Sequence, residues 1–136
     1  MITTSGTGRR VLITGSSRGI GAEIAHAFAG NGDQVALHGR DQEALRHVED
    51  HIASDGGSVT VHTGELTDEE QARNLLAEVG DLDVLVVNAG GTSTGFGPIE
   101  HLDAGDFRHT VDANLTAAFL TIRAALKRPR FCAASL

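Results

Sequence analysis

Residues 11–21 read Val-Leu-Ile-Thr-Gly-Ser-Ser-Arg-Gly-Ile-Gly, an apolar run followed by three spaced glycines. The run predicts a β-strand that ends near Thr14, and Gly15 provides the backbone freedom that a sharp turn into a helix requires. Residues 22–29 continue with apolar side chains at helical spacing until Gly30-Asn31-Gly32 ends the helix. Because free N–H groups and the helix dipole favour an anion, this strand, turn and helix together predict a cradle for a phosphate group.

The sequence beyond this stretch alternates between strand-like and helix-like segments. Further strands are predicted at residues 34–38, 58–62 and 83–87, and helices at residues 42–55, 67–79 and 106–128. Asp41 is expected to cap the second helix, and the capping-box sequence of residues 67–70 to begin the third. The continuously apolar run at 83–87 is typical of a central strand covered on both faces. We therefore predict an α/β fold in which a parallel sheet carries helices on both faces.

Composition limits the classes of partner. The chain has 136 residues, a formal net charge of −7 and one cysteine, Cys132. The length predicts a single domain over residues 1–136, with a flexible leader at 1–8 and an atypical tail at 129–136. The acidic balance argues against nucleic acid and anionic membranes as partners, and no apolar run has the length of a signal sequence or a membrane span. Without such a run we expect a cytoplasmic protein, and a lone cysteine forms no intrachain disulfide.

The spacing of the glycines is Thr-Gly-x-x-x-Gly-x-Gly from Thr14, and Asn88-Ala89-Gly90 follows the predicted fourth strand. With these two motifs the chain resembles the short-chain dehydrogenase/reductase family, and most closely its keto-reducing members. The resemblance implies a partial Rossmann-type, doubly wound parallel sheet of strand order 3-2-1-4, with a possible fifth strand. The ligand crevice would open between strands 1 and 4, at the carboxyl ends where Gly15 and Asn88 lie. The alternative is that the glycine cluster is an ordinary loop.

The resemblance also implies a dinucleotide cofactor and no metal. The residues expected to bind the cofactor are Thr14, Gly15, Ser17, Arg18, Gly19, Ile20, Gly21, Arg40, Glu65, Leu66, Asn88, Ala89 and Gly90. Glu65 stands where the family usually has an aspartate that bonds to the adenine amino group. A glutamate keeps the charge but adds a methylene, so an exposed side chain without this contact is an equal alternative.

Cofactor choice in the family depends on the residue after the second strand, where an acidic side chain binds the adenosine ribose of NAD and repels the extra phosphate of NADP. Here that place holds Gly39, followed by Arg40. Arg18 lies on the same side by resemblance, and two guanidinium groups can share the 2′-phosphate through charge-assisted hydrogen bonds. We expect NADP to be preferred over NAD. The alternative is that both arginines are solvated surface residues.

Asn114 lies in a sequence that resembles the family's helix asparagine, whose amide helps to hold a water in the proton relay to the catalytic lysine. The alternative is a polar residue satisfied within its helix. The family's chemistry further requires a tyrosine and a lysine four residues after it, as well as a serine. This chain has no tyrosine, its only lysine is Lys127, and Ser135 is the sole candidate for the serine, in a poorly matching sequence.

The chain is about half the length of the family that it resembles, and we expect it to be truncated to the N-terminal half. The tail is interpreted either as a degraded fifth strand or as out-of-frame residues after a frameshift near Lys127. The leading hypothesis is an NADP-linked oxidoreductase sequence without its Tyr/Lys catalytic half, and therefore inactive as this chain. The alternatives are a noncatalytic nucleotide-binding module and a truncated fragment that binds nothing.

The last predicted helix carries an apolar stripe formed by Val111, Leu115, Ala118, Phe119, Ile122 and Leu126. In the family this helix commonly packs against a second subunit, and the resemblance therefore implies a homo-oligomer. Of the seven histidines, His47 and His51 alone have the spacing of metal ligands on a helix. No acidic or cysteine partner completes such a site, and we expect both side chains to face solvent.

Overall fold

The computed structural model describes residues 8–92 and 97–128. Within them, four strands form one sheet: β1 (Arg10–Thr14), β2 (Gln34–Gly39), β3 (Ser58–Thr63) and β4 (Val84–Val86). The α-helices are α1 (Gly19–Gly30), α2 (Gln42–Ser54), α3 (Glu69–Val79), α4 (Ala104–Val111) and α5 (Ala117–Leu126). A short 3₁₀ helix (Ile99–His101) precedes α4, and a π-helical turn (Asp112–Thr116) joins α4 to α5.

The strand order is β3-β2-β1-β4, and every pairing is parallel. This confirms the predicted order and the α/β class. The register aligns Thr14 at the end of β1 with His38 in β2, and His38 with His62 in β3. Because the strands are parallel, their carboxyl ends meet at one edge of the sheet, where the crevice was expected. The tail that was considered for a fifth strand lies outside the described residues.

Side chains alternate between the two faces of the sheet and form two separate apolar clusters. On one face Val11 and Ile13 of β1 and Val35 and Leu37 of β2 pack under α1 and α2, in a cluster that includes Ala25 and Leu45. On the other face Leu12 and Ala36 pack with side chains of α3 and α5. Both faces of β1 and β2 are therefore covered, which explains their continuously apolar sequences.

The helix N-termini differ in how they are capped. Asp41 at α2, Asp68 at α3 and Asp103 at α4 each accept a hydrogen bond from a backbone N–H of the first turn. The cap predicted at Asp41 is confirmed. The capping box predicted from Thr67 is wrong by one residue, because Asp68 caps the helix by accepting from the Gln71 N–H at 2.9 Å. Helix α1, in contrast, begins after Arg18 without a side-chain cap.

Strand β4 is shorter and less buried than its sequence predicts. It spans Val84–Val86, and each of its three residues is only half-buried. Val84 and Val86 contact the cluster under α1 and α2, whereas Leu85 contacts the opposite cluster. Among the described strands β4 pairs with β1 alone, so its far side has no strand to cover it. Within the described residues β4 is therefore an edge strand, although its apolar side chains pack on both faces of the sheet as its sequence predicts.

The last helix begins two residues earlier than predicted and is interrupted by the π-helical turn. Its buried face consists of small side chains, namely Ala117, Thr121, Ala124 and Ala125. The larger side chains of the predicted apolar stripe lie at the surface: Leu115, Phe119, Ile122 and Leu126 are 42–67% exposed. Small residues on the inner face allow α5 to approach α3, so the larger apolar residues point away from the sheet. Across residues 8–92 and 97–128, no helix has the length and apolar character needed to cross a bilayer.

Candidate functional site

A cavity of about 780 Å³ opens at the carboxyl ends of the strands. Its walls come from the turn after β1, the end of β2, the segments after β3 and β4, and the π-helical turn. The lining residues are Gly15, Ser17, Arg18, His38, Gly39, Arg40, Asp41, Gly64, Glu65, Leu66, Asn88, Ala89, Gly90, Gly91, Thr92, Ala113 and Ala117. Nine of the residues predicted for cofactor binding are thus brought together. The other four support this wall from outside its lining: Thr14 ends β1, and Gly19, Ile20 and Gly21 form the first turn of α1.

Two glycines, Gly15 in the turn after β1 and Gly21 in the first turn of α1, leave no room for a side chain. Gly15 has φ +68°, and a Cβ there would lie 2.7 Å from the Cα of Ala89. A Cβ on Gly21 would collide with the carbonyl oxygen of Gly15 and lie 2.6 Å from Nδ2 of Asn88. The close approach of the two segments therefore requires glycine at both positions, and at Gly15 the positive φ favours glycine as well.

Thr14 and Asn88 join the end of β1 to the segment after β4. The Thr14 hydroxyl oxygen accepts hydrogen bonds from the N–H groups of Asn88 and Ala89, both at 3.1 Å. The side-chain amide of Asn88 donates to the carbonyl oxygen of Gly15 at 3.0 Å. These bonds fix the wall of the cavity between β1 and β4. As expected from the sequence, Asn88 ties the fourth strand to its neighbour.

The N-terminus of α1 has the properties of an anion site. Residue Arg18 at the N-cap makes no side-chain hydrogen bond to the first turn, in contrast to the aspartates that cap α2, α3 and α4. A carboxylate at this position would repel a phosphate, whereas the helix dipole attracts one. The exposed side chain of Ile20 leaves the first turn open to solvent.

Two ion pairs lie in the wall formed by the ends of β2 and β3. Arg18 Nη2 is 3.2 Å from Asp41 Oδ2, and Arg40 Nη1 is 3.7 Å from Glu65 Oε2. The two guanidinium groups are about three-quarters exposed, and the carboxylates are about half exposed. Both arginines therefore remain accessible from the cavity, but each already has a carboxylate beside it.

Glu65 and Leu66 line the cavity in different ways. Leu66 is buried, whereas the Glu65 side chain is 42% exposed. One oxygen of Glu65 accepts from the Thr67 N–H at 3.2 Å, which bends the side chain back over its own turn. The other oxygen faces Arg40. The predicted contact of Glu65 with an adenine amino group stays a prediction.

His38 lines the cavity and did not figure among the sequence-predicted site residues. Its backbone N–H donates to Ser16 Oγ at 2.9 Å, and its ring is buried, with no hydrogen-bond partner for either nitrogen among the described residues. Burial lowers the pKa of His38 to about 4, although the backbone of Gly64 and the charge of Glu65 oppose this shift. The ring is therefore neutral near pH 7. A histidine at the carboxyl end of an otherwise apolar parallel strand was the available signal.

Asn114 fastens the segment after β4 to the last helix. Its amide Nδ2 donates to the carbonyl oxygens of Gly91 at 2.6 Å and Thr110 at 2.8 Å, and its Oδ1 accepts from the Gly91 N–H at 3.0 Å. A Cβ on Gly90 would collide with this Oδ1. Both amide N–H groups are thus engaged by protein carbonyls, which leaves one Oδ1 lone pair for a water. The role of Asn114 in holding a water stays a prediction.

His47 and His51 lie exposed on α2, with their ring centroids 4.4 Å apart. Nδ1 of His51 is 2.8 Å from the carbonyl oxygen of His47. Across the described ranges, no group of three histidine, cysteine, aspartate or glutamate side chains has the arrangement of a metal site.

Comparison with known proteins gives one consistent family. Residues 9–130 match the family described as short chain dehydrogenase. The chain is 37% identical over 125 residues to glucose 1-dehydrogenase of Gluconobacter oxydans, covering 88% of this chain and 46% of that protein. It is 38% identical over 122 residues to the 3-oxoacyl-(acyl-carrier-protein) reductase of Rickettsia conorii, covering 90% of this chain and 48% of that protein.

A solved structure of a metagenomic short-chain oxidoreductase in complex with NADP is similar in both sequence and fold. Its sequence is 36% identical, its TM-score is 0.78, and the match covers 90% of this chain and 56% of that one. The chain therefore spans about half the length of the curated relatives that it matches. The matched residues 9–130 include the strands and turns that line the cavity.

Proposed function

Because the chain belongs to the short chain dehydrogenase family of oxidoreductases, we propose that it binds a nicotinamide dinucleotide in the cavity beyond β1 and β4, with NADP preferred over NAD. The observation that carries this proposal is the N-terminus of α1. It has no side-chain cap, and it lies beside a turn in which Gly15 and Gly21 allow close approach of the backbone. The NADP bound to a similar structure supports the same assignment.

The residues present fit this cofactor. The N–H groups of Ser17, Gly19 and Ile20 would hold the pyrophosphate, since glycines keep the turn narrow and no carboxylate competes there. Glu65 and Leu66 would border the adenine, and the backbone of residues 88–90 would border the nicotinamide end. When bound, such a cofactor supplies a hydride acceptor or donor.

Preference for NADP rests on the end of β2. Gly39 occupies the position at which an acidic side chain would bind the adenosine ribose of NAD. A Cβ at this position would lie only 3.3 Å from Ser17 Cβ. Arg40 and Arg18 both line the cavity nearby. Their guanidinium groups would share the 2′-phosphate through charge-assisted hydrogen bonds.

The second candidate function is a noncatalytic nucleotide-binding module. It is favoured by the composition, because the chain contains no tyrosine and its one lysine, Lys127, follows α5. A general acid contributes on the order of 100- to 10,000-fold to such a reaction, so its lack would abolish carbonyl reduction by this chain. Asn114 alone, with the role that the resemblance gives it, does not replace a proton donor.

We also propose a cytoplasmic location and a homo-oligomer. The single cysteine, which forms no intrachain disulfide, supports the location. Exposed apolar side chains of the π-helical turn and of α5, chiefly Leu115 at 67% and Phe119 at 57% exposure, support association. A two-fold dimer would bury the same patch on each chain.

Titration of the purified 136-residue chain with NADPH tests the proposed function. We expect saturable binding that Gly21→Val abolishes, because the larger side chain would displace Gly15 and Asn88. The matched control is Gly30→Val at the end of α1, where a Cβ meets no neighbouring atom within 4 Å. A panel of ketones should cause no NADPH consumption. Binding without turnover supports the module, turnover would establish an enzyme that uses another proton donor, and absence of binding would overturn the proposal.

A further inference from the structure

Resting on the proposed function, we infer that Asp41 and Glu65 are specificity-determining residues that compete with the 2′-phosphate of NADP for Arg18 and Arg40. The arginines would then favour NADP, while the two carboxylates limit that preference. The two carboxylates thus set how strongly the site discriminates between the two cofactors, in addition to which of them it prefers.

The two carboxylates are held in the same way. Asp41 uses Oδ1 to accept the Ala44 N–H at 3.1 Å as the cap of α2, and its Oδ2 lies 3.2 Å from Arg18. Glu65 uses Oε1 to accept the Thr67 N–H at 3.2 Å, and its Oε2 lies 3.7 Å from Arg40. In each case one oxygen is anchored to the backbone and the other faces a guanidinium group. The carboxylates therefore cannot swing away without losing a backbone hydrogen bond.

The charges of the four side chains sum to zero at this end of the cavity. A phosphate that enters must either displace a carboxylate from its arginine or share the arginine with it, and both arrangements bring like charges together. The hydroxyl groups of an unphosphorylated ribose carry no charge and can donate hydrogen bonds to a carboxylate. Asp41 and Glu65 should thus weaken NADPH binding and leave NADH binding equal or stronger.

The size of the effect follows from exposure. Arg18 is 75% exposed and Asp41 is 51% exposed, so solvent and salt screen the pair. An effect of about twofold to fivefold on the affinity for NADPH at low ionic strength is expected for such a pair. The same screening predicts that the effect decreases as salt is added.

Asp41→Asn is the direct test, because asparagine retains the helix cap while it removes the charge. Glu65→Gln is the second variant, which does not depend on the cap of α2. The matched control is Glu43→Gln, which removes an equal charge from the exposed first turn of the same helix but does not line the cavity. Affinities of all four proteins for NADPH and NADH are measured by calorimetry at low and at high ionic strength.

We expect Asp41→Asn and Glu65→Gln each to raise the ratio of NADPH to NADH affinity about twofold to fivefold at low salt. Glu43→Gln should leave the ratio within about twofold of the wild-type value. Unchanged ratios in both cavity variants, or weaker NADPH binding in Asp41→Asn, would overturn the inference, the latter because Asp41 would then position Arg18 for the phosphate. If the wild-type chain binds neither dinucleotide, the proposed function itself fails.

Discussion

The side-chain amide of Asn88 donates a hydrogen bond to the carbonyl oxygen of Gly15 across 3.0 Å. The two residues are 73 positions apart in the chain, yet this bond joins the turn after β1 to the segment after β4. A Cβ on Gly21 would lie in the same narrow space. Because of this hydrogen bond, the position of the turn after β1 in the cavity wall depends on the segment that follows β4.

We predict that Asn88→Ala lowers the free energy of unfolding by about 1–3 kcal/mol, because a half-buried carbonyl loses its donor. NADPH affinity should decrease as well, since the turn is no longer fixed. Urea unfolding and calorimetry measure the two effects. The control Asn74→Ala removes an exposed amide from α3 and should cost no stability. Equal stability of Asn88→Ala and the wild-type chain would contradict the role given to this bond.

His38 predicts a pH dependence of stability. Its pKa is lowered by burial to about 4 from an ordinary value of 6.5, so the unfolded chain binds the proton more readily. The stabilisation is complete above pH 6.5 and is lost as the pH falls towards 4, to a total of about 3 kcal/mol. Hydrogen bonding to Arg9 lowers the pKa of Asp33 below its ordinary value of 3.8. The stabilisation from this pair is therefore lost at a more acidic pH than the stabilisation from His38.

Urea unfolding between pH 7 and pH 4.5 measures this dependence, with the variant His38→Gln as the comparison. The variant should show a flatter profile than the wild-type chain, because its side chain does not titrate. His101→Gln, an exposed histidine in the 3₁₀ helix, is the control and should follow the wild-type profile. Identical slopes for His38→Gln and the wild-type chain would rule out His38 as the source.

Self-association through α5 gives a further prediction. Leu115→Lys combined with Phe119→Lys should convert an oligomer into a monomer, because both exposed side chains would carry charge into the proposed interface. Light scattering at micromolar concentration gives the mass, and circular dichroism checks that the helices remain. Gln42→Lys combined with Ala53→Lys places two lysines on exposed positions of α2 and should leave the mass unchanged. A wild-type mass of one chain, 14.2 kDa, would refute the association.

Much of the fold follows from local sequence patterns. Strands and helices were predictable because apolar side chains recur with the period of each element, and the cap at Asp41 follows from its place before an amphipathic helix. The end of α3 at Gly80, with φ +80°, is likewise a local signal. The π-helical turn at Asp112–Thr116 was not predictable, since it keeps helical spacing on both sides and depends on the tertiary contacts of Asn114.

Less of the candidate site than of the fold could be predicted from the sequence. The glycine spacing and Asn88 identified the wall between β1 and β4, because these positions require particular residue types for steric reasons. The pairing of Arg18 with Asp41 was missed, as it joins residues 23 positions apart through the packing of two separate turns. His38 was missed because an isolated histidine in a strand gives no periodic signal. Ion pairs and buried polar side chains depend on the tertiary arrangement, which periodicity does not report.

We propose that this cavity binds a nicotinamide dinucleotide and that Arg40 and Arg18 recognise its 2′-phosphate. The most direct measurement is calorimetric titration of the wild-type chain and of Arg40→Asp with NADPH and with NADH. The account predicts that the wild-type chain binds NADPH about tenfold more tightly than NADH, because one charge-assisted contact is worth about 1.5–3 kcal/mol before the neighbouring carboxylates oppose it. Arg40→Asp should erase or reverse that preference. Equal affinity of the wild-type chain for both cofactors, or no binding of either, would contradict the account.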